Sequence, residues 1–280
     1  MPADEPLAEE RVIRPRRGFS AINFGELWRY RELFGFLAWR DVLVRYKQTY
    51  LGIAWAVLQP ILTMVVFVFV FEKLGHFESN GEPYAVMTFA ALLPWQFFSN
   101  ALSESSNSLV VSANMISKIY FPRLIIPASA VFSGVVDFCI ALVILFALML
   151  WYGVPFREKL LLLPLFLAVA FAAALAAGIW LSALNVKYRD VKYIVPFFTR
   201  IGLYASPVAF MTSMVPERWR FWFCLNPMVG VIDSFRWCIL GPKFEPYWPG
   251  FWASLAATLV LLATGVVYFR SAEKTFADVI

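Results

Sequence analysis

The sequence predicts an all-α membrane protein with six transmembrane helices, an N-terminal amphipathic interface helix and a re-entrant outer hairpin before the last span. Three observations indicate this fold class. The chain is 61% hydrophobic and only 15% charged, which is more apolar surface than one soluble core buries. Its apolar runs are long enough to cross a bilayer. Its basic residues concentrate in alternate connecting segments.

The N-terminal part is predicted to contain a tail and an interface helix. Residues 1–25 are predicted to be a cytoplasmic tail, since they begin without the apolar core of a signal peptide. Residues 26–50 are predicted to form an interface and coupling helix. At about 100° per residue, two apolar rows flank a basic row of Arg29, Arg40 and Lys47. This pattern is typical of a helix in the inner headgroup region, either as a lever or as a passive lipid anchor.

The transmembrane domain is predicted over residues 51–270. Its first span, residues 51–71, has no charge, and at about 1.5 Å per residue it makes a helix of roughly 31 Å. The other spans are predicted at residues 84–111, 124–152, 160–184, 193–215 and 250–269.

Two apolar pieces within residues 219–241 are separated by Asn226-Pro227 and are each too short to cross. They favour a re-entrant hairpin, with a loop among the headgroups as the alternative. Residues 271–280 are the predicted cytoplasmic end.

The basic residues predict the orientation. If the N-terminus is inside, sixteen of the 24 lysines and arginines lie in inner segments and seven in outer segments. Both termini are therefore predicted to be cytoplasmic. The sequence pI of about 9.1 then reflects topology and lipid headgroups, and no nucleic-acid partner is expected.

Several kinds of chemistry are not expected in this chain. It has no G-x-x-x-x-G-K-[ST] loop, so it is not predicted to bind ATP itself. It has one histidine and no Cys/His cluster, so no metal site is expected. Cys224 and Cys238 fall in the predicted outer hairpin, where a disulfide and simple apolar packing are both open. No group of residues indicates an active site, and the chain is not predicted to be an enzyme.

Polar residues inside the spans are the main functional signal. Glu104, Asp137 and Arg200 are ionisable and lie inside or at the edge of spans, where such residues normally face protein or water. Asn100 and Glu104 share a helix face, and Gln59 belongs to the same group. Two interpretations stay open: hydrogen bonds and an ion pair that fix helix packing, or the lining of a polar path.

Five blocks of sequence carry a resemblance to a known family. They are RYKQTYLGIAWAVLQP, LLPWQFFSNAL, SANMISKIYFPRLIIP, LSALNVKYRDVKYIVPFFTRIGLYASPV and VPERWRFWFCLNPM. In this order and spacing they resemble the Wzm family, the membrane subunits of ABC type-2 exporters that carry O-antigen polysaccharides. The resemblance covers about residues 39–241. Permeases for capsular polysaccharides and teichoic acids share this architecture.

The resemblance implies partners and a location. The chain is expected to form a homodimer in the bacterial inner membrane with two copies of a Wzt-type ATPase, which binds ATP and Mg while this chain holds no cofactor. The cargo is expected to be a polysaccharide linked to undecaprenyl pyrophosphate. The residues expected to contact the ATPase lie on the interface helix and two inner loops: Trp28, Arg29, Trp39, Arg40, Asn114, Lys118, Tyr120, Arg189 and Asp190.

Two further sets of residues are predicted from this cargo. Cations at the inner interface are candidates to contact the lipid pyrophosphate, although ordinary phospholipid is the alternative: Arg40, Arg45, Lys47, Lys118 and Arg123. Aromatic and polar residues suit a conduit for sugars, which stack on rings and hydrogen-bond through hydroxyls. The candidates for the glycan path are Trp55, Gln59, Asn100, Glu104, Phe198 and Tyr204.

Two other functions remain as alternatives. A secondary transporter usually shows two repeated halves, and no repeat is found here. A membrane glycosyltransferase with a polyprenyl donor would place a catalytic acid in the first outer loop, where Glu72, Glu78 and Glu82 lie.

Overall fold

A computed structural model describes residues 24–47, 52–77 and 79–276. Within these ranges the chain forms eleven α-helices and no strand, which confirms the prediction of an all-α membrane protein. Residues 1–23 of the predicted tail, the junction at 48–51 and the last four residues lie outside the described part.

The N-terminal segment forms two helices, α1 at Phe24–Arg29 and α2 at Arg31–Lys47. The predicted single helix over residues 26–50 is therefore broken at Tyr30. At this break the Tyr30 amide donates to the Leu27 carbonyl, which is a tighter turn than in an α-helix. Five helices of the described part are long and apolar enough to cross a bilayer.

Four of these five come next along the chain. They are α3 at Gly52–Phe67 with a π-helical extension over Val68–Leu74, α4 at Tyr84–Val111, α6 at Ile125–Trp151, and α7 at Leu163–Lys187. The short α5, Ala113–Ile116, lies between α4 and α6. Each long helix covers most of a predicted span.

The fifth predicted span differs from the structure. Helix α8 runs over Val191–Tyr204, whereas the span was predicted at residues 193–215. Fourteen residues at about 1.5 Å each give about 21 Å, which is too short to cross. The helix ends before Pro207, which donates no hydrogen bond and restricts Ser206. The backbone beyond it instead turns its carbonyls toward Arg236.

Two short helices follow, α9 at Glu217–Phe223 and α10 at Pro227–Leu240, and they meet at 104°. If this bent pair counts as one span, it is the sixth candidate. Asn226 begins α10 because its side chain accepts a hydrogen bond from the Met228 amide at 3.0 Å. The pair occupies the predicted re-entrant hairpin, and its depth in a membrane stays a prediction. Helix α11, Trp248–Glu273, completes the bundle.

Helix α4 lies at the centre, against α6, α7 and α10. Gly178 of α7 lets α4 approach closely, since an added Cβ would lie 2.8 Å from the Cβ of Ser105. The bundle has two ends. The α2 end carries the turn between α7 and α8 and the C-terminal turn of α11, where Leu37, Ile116 and Phe269 share one apolar cluster. The α10 end carries α9, α10 and residues 79–83, where Tyr84 donates to the Ala209 carbonyl.

Candidate functional site

A cavity of about 520 Å³ opens between α2, α3, α4 and α6. We call it the groove. Among the described residues, its wall combines three amide side chains with aromatic rings and a group of charged residues. The lining residues that matter here are Arg45, Tyr46, Trp55, Gln59, Gln96, Phe97, Asn100, Glu104, Asp137 and Phe138.

The charged residues of the groove join three helices. The Arg45 guanidinium, from α2, donates to Glu104 of α4 and to Asp137 of α6. The Tyr46 hydroxyl also donates to Asp137. Ser133 donates to the second carboxylate oxygen of Glu104 at 3.4 Å. The ion pair expected among the span residues thus exists, but its cation is Arg45, whereas Arg200 is exposed on α8.

The two carboxylates keep Arg45 charged. Burial alone would lower the pKa of Arg45, but Glu104 and Asp137 outweigh it and raise that pKa above its ordinary value. Burial, and then the hydrogen bond to Asp137, raise the pKa of the Tyr46 hydroxyl. Arg45 stays a guanidinium cation, and α2 is fastened to the bundle by this network of an arginine, a tyrosine and two carboxyl groups.

The groove brings together four of the six residues predicted for a glycan path. Trp55 and Gln59 are exposed on α3, and Asn100 and Glu104 face them from α4. Rings with neighbouring amides and a carboxylate suit a ligand that has both C–H faces and hydroxyl groups.

The other two predicted path residues lie outside the groove lining. Phe198 and Tyr204 are both exposed on α8. Tyr204 stacks on Phe67, at the end of α3, with ring centroids 6.1 Å apart. These two residues are not brought together with the four groove residues.

Three of the five cations predicted to contact pyrophosphate have partners inside the chain. Arg45 is held by its two carboxylates, and Arg40 pairs with Asp41 at 2.8 Å. Arg123 donates to the Glu273 carbonyl and lies 5.8 Å from the Phe276 ring, so it ties the end of α11 to the bundle. Lys47 and Lys118 are exposed and form no ion pair within the part of the chain that the structure describes.

The residues predicted to contact an ATPase gather at the surface of the α2 end. Trp28, Trp39 and Tyr120 have exposed fractions of 72%, 62% and 69%. Asn114, Lys118, Arg29, Arg189 and Asp190 are also exposed, and Arg40 is half-buried. Exposed aromatic side chains beside charged ones are typical of interaction surfaces, and the coupling role stays a prediction.

The structure also settles the cysteines and adds a residue that the sequence did not single out. Cys224 and Cys238 are buried free thiols, so the disulfide alternative is wrong and apolar packing is right. Arg236 is buried in α10 and donates to the carbonyls of Met87, Phe210 and Val208. A single cation within the apolar run of α10 was the only signal for it.

Residues 32–240 match the protein family described as "ABC-2 type transporter". The chain belongs to the ABC-2 type transporter family. It is similar to the O-antigen export system permease protein RfbA of Myxococcus xanthus, with 28% identity over 90% of this chain and 97% of that protein. It is also similar to the RfbA permease of Klebsiella pneumoniae, with 27% identity over 86% and 92% of the two chains.

A more distant relative of this ABC-2 transporter chain is the polysialic acid transport protein KpsM of Escherichia coli. It is 22% identical over 84% of this chain and 91% of that protein. The expected resemblance to the Wzm-type permeases is confirmed by these matches, and so is the prediction that the chain is a transport subunit rather than an enzyme.

Proposed function

We propose that this chain is the permease subunit of an ATP-driven exporter that moves undecaprenyl-pyrophosphate-linked O-antigen polysaccharide across the bacterial inner membrane. The observation that carries this proposal is the match to O-antigen export permeases over nearly the full length of both chains. The groove supports it, because it offers rings and amides rather than one tight pocket. Such a surface tolerates a long chain of different sugars.

The energy source belongs to partner subunits in this proposal. A homodimer of this chain works with two Wzt-type ATPases, which bind ATP and Mg at the cytoplasmic side, where both termini lie. The exposed aromatic and charged residues of the α2 end receive them. ATP-driven closure then pushes on α2, and Arg45 transmits the movement to α4 and α6 through its two carboxylates.

The lipid carrier meets this same end. Lys47 and Lys118 are the exposed cations for its pyrophosphate. Arg45 joins them only when it leaves Glu104 or Asp137, because both carboxylates compete with the phosphate oxygens for its guanidinium. In this account the arrival of the carrier therefore loosens the link between α2 and the bundle.

A second cargo has a specific observation in its favour. The chain also matches a polysialic acid transporter and a capsule polysaccharide export protein of Neisseria meningitidis, each over 91% or more of those proteins. Export of capsular polysaccharide uses the same groove and the same partner arrangement. The two candidate cargos are distinguished by which glycan disappears from the cell surface when the gene is deleted.

Deletion of the gene tests the proposal. Surface glycan and undecaprenyl-linked glycan are measured in the same cells, with the wild-type gene restored as the control. We expect O-antigen to be lost from the surface and its carrier-linked form to accumulate inside. Loss of capsule alone would indicate that the cargo is capsular polysaccharide rather than O-antigen. Unchanged surface glycans without internal accumulation would contradict polysaccharide export.

A further inference from the structure

A second cavity, of about 260 Å³, lies at the α10 end, away from the groove. Its wall comes from the segment after α8, from α9 and α10, and from the segment before α11. The residues used below are Thr212, Arg220, Asp233 and Tyr247. The cavity is smaller than the roughly 300–1,000 Å³ that drug-sized ligands occupy, so it suits a ligand of about one ring.

The cations around this cavity are largely engaged by the protein. Arg236 donates to three backbone carbonyls rather than to Asp233. The Nη2 of Arg220 donates to the carbonyls of Ser213 and Val215, each at 3.1 Å. Lys243 pairs with Glu82 at 3.5 Å. A phosphate group would find few donors here, and it would face the Asp233 carboxylate.

Other polar groups on the cavity wall are unused. The Thr212 hydroxyl is buried, with 5% of the residue exposed, and it has no hydrogen-bond partner in the described part of the chain. It interacts with the neighbouring Asp233 carboxylate, but the pair does not reach the geometry of a normal hydrogen bond. The Nε of Arg220 is likewise buried and unpartnered among the described residues. Buried polar groups normally have partners, so these two groups are left to be satisfied by water or by a ligand that enters the cavity.

We propose that this cavity binds one neutral sugar unit of a glycan, an assignment that rests on the proposed function for the class of cargo. A sugar hydroxyl both donates and accepts hydrogen bonds. One sugar hydroxyl donates a hydrogen bond to the Asp233 carboxylate. The adjacent sugar hydroxyl accepts a hydrogen bond from the Nε of Arg220 and donates one to the Thr212 hydroxyl. The Tyr247 ring, whose centroid is 5.9 Å from the Arg220 guanidinium, forms a wall for the C–H face.

The position of the cavity gives the site a role. It lies at the end of the bundle opposite α2, so with α2 at the cytoplasmic side it opens where the glycan leaves. A site that holds one passing or leading sugar there opposes backward sliding of the chain between strokes of the ATPases. Weak binding is sufficient for this role and allows release.

The test uses the purified full-length chain in lipid nanodiscs and saturation-transfer NMR. The probes are methyl glycosides of mannose, galactose, glucose, rhamnose and N-acetylglucosamine. We expect at least one glycoside to bind, and we expect Thr212→Val and Asp233→Asn each to weaken it by about tenfold. Glu217→Gln, an exposed carboxylate of the neighbouring α9, is the matched control and should leave binding unchanged.

Three outcomes would overturn the site: no glycoside binds the wild-type chain, both cavity variants bind the glycoside as tightly as the wild-type chain does, or inorganic phosphate displaces the glycoside. Thr212→Val keeps the side-chain shape, so it remains informative if Asp233→Asn fails to fold. The assay needs no export. If the purified chain binds a glycoside but deletion of its gene leaves every surface glycan unchanged, the site stands and the proposed function is contradicted. If deletion abolishes export but the purified chain binds no glycoside, the proposed function stands and the site is contradicted.

Discussion

Helices α4 and α3 are neighbours with opposite surroundings. In the most apolar stretch of α4, 78% of the residues are buried inside the chain, against 17% for α3 and its π-helical extension. Helix α4 packs on α6, α7 and α10, whereas α3 has apolar residues such as Leu62 and Val66 exposed. The difference teaches that α4 is the fixed scaffold and that few contacts within the chain restrain α3.

The groove lies on the boundary between these two helices. Asn100 and Glu104 come from the scaffold, and Trp55 and Gln59 come from the loosely held side. A path built in this way would change width if α3 moved, and Met64 and Phe67 of α3, which pack in the main apolar core, would then have to shift. Substitutions in α4 are therefore expected to lower the stability of the chain much more than substitutions in α3.

The largest effect is expected from Arg236→Ala. This change removes the donor of the Val208 and Phe210 carbonyls and the second donor of the Met87 carbonyl, which keeps its bond within α4, at a cost of about 3 kcal/mol or more. We expect little monodisperse protein after extraction, measured by size-exclusion chromatography with heating. Arg218→Ala, at an exposed position of α9, is the control. Equal stability of the two variants would show that Arg236 does not hold α4 to α10.

Gly178→Ala is expected to have the next largest effect on stability. The new Cβ would lie 2.8 Å from the Ser105 Cβ, and such overpacking costs about 1–3 kcal/mol. Adding Ser105→Gly should restore much of the thermal stability by returning the lost space. Gly35→Ala on α2 meets nothing within 4 Å and should be neutral or stabilising. A tolerated Gly178→Ala would mean that α4 and α7 do not need this approach.

Arg45→Gln is expected to cost about 1 kcal/mol of stability, because the ion pair is partly exposed. It leaves Glu104 and Asp137 without their shared cation, so further neutralisation by Glu104→Gln and Asp137→Asn should recover the thermal stability. Export, measured as surface glycan, should stay impaired in both variants since Arg45 no longer links α2 to α4 and α6. Glu32→Gln, exposed on α2, serves as the control, and full export by Arg45→Gln would refute the coupling role.

The smallest effect is expected on the outer face of α3. Leu62→Ala, at a side chain that is 53% exposed, should change thermal stability in detergent by less than about 0.5 kcal/mol. Leu92→Ala on α4, where the residue is 1% exposed, should cost about 2–5 kcal/mol in the same assay. Similar losses in the two variants would remove the distinction between scaffold and movable helix.

The sequence predicted the long helices well because the bilayer fixes their length and excludes charge. It failed for the fifth span because residues 205–215 are as apolar as a span. The end of α8 depends instead on Arg236, which lies far along the chain and takes the carbonyls of Val208 and Phe210.

The candidate site was predicted in part for similar reasons. Polar side chains avoid lipid, so Gln59, Asn100 and Glu104 were recognisable singly, and they converge in one groove. The partners of Arg45 lie 59 and 92 residues away. A pairing at such distance leaves no local pattern in one sequence, and the same holds for Arg123 and its contact with the end of α11.

The groove as glycan path is tested most directly by photo-crosslinking in cells that make the polysaccharide. A benzoyl-phenylalanine probe replaces Gln59 in the groove, and the matched probe replaces Val143, which is 68% exposed on α6 outside the groove lining. We expect irradiation to attach glycan to the chain with the probe at position 59 and not at position 143. Glycan attached equally at both positions, or at neither while export continues, would contradict the account.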